Sequence, residues 1–123
     1  MKYLEELKKM KLPENEFAIF GSGPMAIRGI RENKDLDILA KASLWDNLKK
    51  QFPVSDNDSI KVGEIEFFRE WPFFENPEEL IDHADIIDGF RFVKLKDVIK
   101  FKQALGREKD QRDIRKIEEF LRK

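Results

Sequence analysis

The chain has 123 residues, 24 Lys and Arg against 25 Asp and Glu, one His and no Cys. This near-neutral balance argues against a nucleic-acid sheath but leaves room for a local basic groove. The missing cysteines exclude disulfides and thiolate metal sites and suit a reducing, cytoplasmic setting.

With 40% charged residues and eleven Phe, the chain is expected to fold as one domain, residues 1–123, with a Phe-rich core. The first residues, M-K-Y-L-E-E-L-K-K-M, lack the apolar centre of a signal peptide. No apolar run approaches the ~20 residues of a membrane span, so no membrane partner is expected.

Tyr3, Leu4, Leu7 and Met10 recur at helical spacing and predict an amphipathic helix over 2–11, ended by Pro13. Phe17 to Phe20 is a short apolar run stopped by Gly21, which reads as a buried strand. Residues 24–31 suit a helix with Pro24 in its first turn. After a turn at 32–34, residues 35–40 alternate polar and apolar as a strand does. Ser43 is placed as N-cap of a helix over 44–51, with Leu44 and Leu48 on one face.

Residues 53–59 form a polar turn, and 60–69 read as one strand with Gly63 marking a bulge. Trp71 to Phe74 is an apolar loop, and Asn76-Pro77-Glu78-Glu79 opens a helix. Phe90 to Val93 suggests a further strand. Leu95, Val98, Ile99, Lys102 and Leu105 follow helical spacing up to the stop at Gly106. Asp110 is placed as cap of a last helix carrying Ile114, Ile117 and Leu121. The order predicts an α+β (mixed α/β) domain: a mixed sheet flanked by helices, with a C-terminal helix pair.

Gly21-Ser22-Gly23-Pro24-Met25-Ala26 fits G-x-G-x-x-A after an apolar strand, the dinucleotide-binding fingerprint. That fingerprint expects an acid near the end of the second strand, to hold a ribose. Here Asp35 and Asp37 stand at its start instead, and the strand ends Leu39-Ala40-Lys41. No G-K-[ST] follows the turn, so a P-loop is excluded.

In a strand, Asp35 and Asp37 project from one face while Leu36 and Ile38 face the core. Two such carboxylates repel unless water or a cation lies between them. A D-x-D can be an ordinary solvent-facing alternation. The glycine turn upstream favours Mg²⁺, which takes oxygen ligands and keeps waters and substrate phosphates as the rest.

An apolar strand ending Phe20-Gly21-Ser22, a short helix with Arg28 to Arg31, then Asp35-Leu36-Asp37-Ile38 resembles the nucleotidyltransferase superfamily of polymerase-beta-like fold. Further on, Lys102 precedes the Asp110-Gln111-Arg112-Asp113 stretch. That tail resembles small bacterial and archaeal nucleotidyltransferases, including minimal antitoxin and abortive-infection types. By itself it also reads as helix capping on a solvated Lys/Asp face.

The resemblance implies an NMP transfer from an NTP to a hydroxyl of an unknown acceptor, whether protein, RNA or small molecule. Gly21 and Ser22 would hold the triphosphate, with Arg31 and Lys102 as cationic contacts. Asp35 and Asp37 would bind Mg²⁺, with Glu66 as third carboxylate, either metal ligand or general base, and Glu64 as its fallback. A partner protein or second subunit, as in a toxin–antitoxin system, would complete the acceptor site. The alternatives are a catalytically inactive nucleotide-binding or interaction module of this fold and, third, the dinucleotide binder. His83 lacks triad or metal partners, Ser22 lacks the G-x-S-x-G setting of a hydrolase, and Trp45 and Trp71, which could stack a base, read more readily as packing or partner contacts.

Overall fold

The computed structural model describes residues 1–123. Strands β1 (Phe17–Phe20), β2 (Leu36–Ala40), β3 (Ser59–Val62), β4 (Ile65–Phe68), β5 (Asp85–Ile87) and β6 (Phe90–Phe92) form one sheet. Their order across it is β3-β4-β2-β1-β6-β5. β1–β2, β3–β4 and β5–β6 are antiparallel, whereas β2–β4 and β1–β6 are parallel. This is the mixed α+β architecture that the element order implied.

Helices cover both faces, because the central strands are apolar on both. On one face Leu7 of α1 (Leu4–Lys9) and Leu44 and Leu48 of α3 (Ala42–Gln51) pack with Ile19, Leu36, Ile38 and Phe67. On the other, Ala18, Phe20 and Leu39 meet a second core. It includes Met25 of α2 (Gly23–Ala26) and Leu80 and Ile81 of α4 (Pro77–Asp82). Val98 of α5 (Leu95–Leu105) and Ile117 of α6 (Glu108–Leu121) complete it. No helix is long and apolar enough to cross a membrane.

Several boundaries differ from expectation, each for a local reason. α2 stops at Ala26, short of residue 31, because Gly29 takes φ +74 and closes a Schellman-type cap. In it the Ile30 N–H bonds the Met25 carbonyl at 3.0 Å. Residues 60–69 are two strands rather than one bulged strand. Gly63, at φ +62, takes the first central position of a two-residue hairpin turn joining β3 to β4. The N-cap of α3 is Lys41, not Ser43, whose hydroxyl instead bonds Glu16. The N-cap of α6 is Arg107, and Asp110 sits in the first turn with its carboxylate accepting the Arg107 N–H at 3.2 Å. β5 was not anticipated.

Candidate active site

Strand register places the first part of the site. Asp37 lies opposite Phe20 on β1 and beside Glu66 on β4. Glu66 in turn faces Lys61 on β3. Residues opposite one another share a face, so Asp37 and Glu66 project together at roughly the 4.8 Å spacing of paired strands. The hairpin turn removes Glu64 from this row and leaves it exposed. Asp35, the exposed residue before β2, stands at the mouth.

Gly21 explains why a glycine follows β1. Its φ is +68, and a Cβ there would come 2.9 Å from Asp37 Oδ2. The backbone twist favours glycine, and a Cβ would also oblige the Asp37 carboxylate to turn. Gly23 is required by space alone, since a Cβ would fall 2.2 Å from the Ile19 side chain. Ser22 is the N-cap of α2, but its side chain makes no capping bond and faces the cleft.

Asn33 does work that composition did not announce. Fully buried, it accepts the Lys2 N–H at 2.9 Å and donates to the carbonyls of Lys2 and Asp35 at 3.0 and 3.1 Å. The turn that delivers both aspartates is thereby pinned to the N-terminal segment.

A cleft of about 360 Å³ brings together Gly21, Ser22, Arg31, Asp35, Asp37 and Lys102. Six of the seven residues singled out from the sequence therefore converge. Glu66 lies beyond the cleft lining, with its carboxylate bonded by the Ser59 hydroxyl. Arg107, Lys109, Asp110 and Asp113 also line the cleft.

The far wall is a chain of alternating charges. Arg31 lies 3.1 Å from Asp113, and Lys102 lies 3.0 Å from Asp113 and 3.7 Å from Asp110. Arg107 reaches Asp110 at 2.6 Å. Lys102, Asp110 and Asp113 are all buried. Asp110 and Asp113, three residues apart, lie on one face of α6, so D-x-x-D here grips the cations of the cleft. Burial would raise the Asp110 carboxyl, but its bonds from Arg107 prevail and hold it below the usual carboxylate range.

Asp37 has the opposite environment. Burial, then the charges of Asp35 and Glu66, raise its pKa from 3.8 to about 7. No hydrogen-bond donor of the chain reaches its carboxylate. The acids do not converge into a preformed three-ligand cage.

The donor set fits a hard divalent cation. It offers only oxygens, keeps Asp37 free of competing donors, and leaves room where a Cβ would otherwise stand at Gly21. The third sequence alternative fails on topology: β1 and β2 are antiparallel, so G-x-G-x-x-A does not open a parallel βαβ unit. Comparison with known proteins finds no match among family models, curated proteins or solved structures.

Proposed function

We propose that the chain is a Mg²⁺-dependent nucleotidyltransferase moving NMP from an NTP to an acceptor hydroxyl. One observation carries this reading. A donor-free, half-buried carboxylate stands beside a second acid, against a glycine with no Cβ, and faces a wall on which Arg31, Lys102, Arg107 and Lys109 outnumber Asp110 and Asp113. Opposite charges on facing walls suit a metal–triphosphate, whose cation and phosphates need both.

In this reading Gly21 and Ser22 hold the triphosphate through backbone N–H and hydroxyl. Lys102 and Arg31 turn their remaining donors to its oxygens, with Asp113 holding both in place. Lys109, which has no ion-pair partner, adds a further positive charge to the cleft. Asp35 and Asp37 would hold Mg²⁺, which neutralises charge on the phosphates and the leaving group.

Glu66, beside Asp37 on the same face, takes the proton of the acceptor hydroxyl. The hydroxyl oxygen attacks the α-phosphorus in line, and pyrophosphate leaves with the electrons of the broken P–O bond. Positioning and electrostatics account for the rate. A cytoplasmic setting and a partner subunit at the acceptor side belong to the same proposal.

The test is calorimetric titration of NTP with and without Mg²⁺ into wild type and Asp35→Asn/Asp37→Asn. We expect metal-dependent binding in the wild type and a loss of about a hundredfold or more in the variant. Metal-independent binding, or none, would leave a non-catalytic module.

A further inference from the structure

A second cavity of about 710 Å³ adjoins the cleft, sharing Phe68, Glu70 and Pro72 with it. Its lining includes Trp45, Trp71 and Phe73, with Asp58, Glu70 and Glu75 among them. The only cationic side chain there, Arg69, is engaged by Glu78 at 2.6 Å. Charge is thus divided between the two spaces. Cations gather on the α5–α6 side, where phosphates belong, and uncompensated carboxylates gather on this side.

Resting on the nucleotidyltransferase reading, we propose that this cavity receives the acceptor, and that the acceptor is a basic polypeptide segment presenting a Ser, Thr or Tyr hydroxyl. Charge complementarity selects a cationic occupant and disfavours an RNA end, whose phosphates would meet Asp58, Glu70 and Glu75.

The walls add features that fit a polypeptide. Trp71 is 2% exposed, and its buried Nε1–H has no partner in the chain. The indole therefore contributes an apolar ring to the cavity wall, its N–H being covered by the chain itself. Phe73, 60% exposed and held at φ +72, offers an apolar contact at the rim. The ring of Phe74 stacks on Trp71 with 5.1 Å between centroids and extends the aromatic wall.

The cavity is also tied to the proposed base. Ser59, whose hydroxyl donates to Glu66, lies 2.9 Å from Ser55 Oγ and 3.1 Å from Asn57 Oδ1. Asn57 lines the cavity. The loop that walls the acceptor side therefore also orients Glu66. In this proposal the hydroxyl of a seated segment gives its proton to Glu66, which lies behind the lining of both spaces, as the new bond to the α-phosphorus forms and pyrophosphate departs.

Both tryptophans of the chain line this cavity, so their fluorescence reports occupancy. The probes are a random Lys/Tyr copolymer, a Glu/Tyr copolymer and an oligoadenylate RNA, titrated into the whole chain. Mg²⁺–NTP binding is measured separately, and each polymer is then offered as acceptor with α-³²P-labelled NTP.

We expect the Lys/Tyr copolymer to bind at least tenfold tighter than either rival and to take the label. Asp58→Asn/Glu75→Lys should lose that preference at least tenfold. Neither side chain has an ion-pair partner, and Asn tolerates the φ of +57 at position 58. An unchanged melting temperature confirms the fold of the variant.

Tighter binding or labelling of RNA overturns the inference, as does copolymer binding indifferent to the charge change. Each of these, with Mg²⁺–NTP binding intact, leaves the enzyme reading standing. Absence of Mg²⁺–NTP binding overturns the premise itself.

Discussion

The two walls of the cleft solve the problem of buried charge in opposite ways. Along Arg31, Asp113, Lys102, Asp110 and Arg107 every charge meets an opposite one within 3.7 Å. At Asp37 a half-buried carboxylate meets only other carboxylates, and its pKa rises to about 7. The first arrangement is complete without a ligand and therefore rigidifies. The second carries a conformational and electrostatic cost that a bound cation would relieve. In the proposed function the satisfied wall would position a ligand and the frustrated wall would bind one.

Removing one member of the satisfied wall should have the largest effect. Asp113→Ala leaves Lys102, which is 8% exposed, with only the longer 3.7 Å contact to Asp110, and releases Arg31. Breaking a buried pair from one side costs about 3–5 kcal/mol. Urea unfolding at neutral pH should register a loss of that size. A loss under 1 kcal/mol would mean that the chain of charges is a surface decoration.

The frustrated wall should respond with the opposite sign. Folding raises the Asp37 pKa from 3.8 to about 7, so the native state holds its proton more tightly than the unfolded state. The resulting stability is present below about pH 4 and is lost as pH rises through 7. Asp37→Asn escapes that loss. It should be more stable than the metal-free wild type at pH 8, by at most about 4 kcal/mol, and should match it near pH 4. Mg²⁺ should then stabilise the wild type at pH 8 and leave the variant unchanged. Equal melting temperatures at pH 8 without metal would contradict the frustration.

How much of this was legible beforehand follows the same division. The Gly21-Ser22 turn and the Asp35/Asp37 pair are local patterns, and register on β1 and β2 then brought them together. Fold class was legible from periodicity, and so were the two C-terminal helices. Glu66 and Glu64 could not be separated, because the two-residue turn at Gly63-Glu64 breaks the alternation that placed both on one face.

Long-range partners left the weakest trace. Arg31 and Lys102 read as lone cations, whereas Asp113 lies 82 positions from the first and 11 from the second. Asn33 looked like a turn residue because its partner Lys2 is 31 positions away. The β5–β6 hairpin did carry a signal: Asp88-Gly89, both at positive φ, stands between apolar residues.

Gly21 separates the two effects most finely, because it belongs to the frustrated wall without carrying charge. Gly21→Ala places a Cβ 2.9 Å from Asp37 Oδ2 in a backbone conformation at φ +68. The left-handed conformation costs an L-residue about 1–2 kcal/mol. The contact adds to that only if the carboxylate cannot turn away. Thermal unfolding of Gly21→Ala and of Gly21→Ala/Asp37→Asn decides between these. A loss of about 1 kcal/mol in both assigns the glycine to backbone geometry alone. A larger loss in the single variant than in the double assigns part of it to the room Asp37 needs. In that case Mg²⁺ affinity should fall in Gly21→Ala even where the fold survives, because the displaced carboxylate no longer projects beside Glu66.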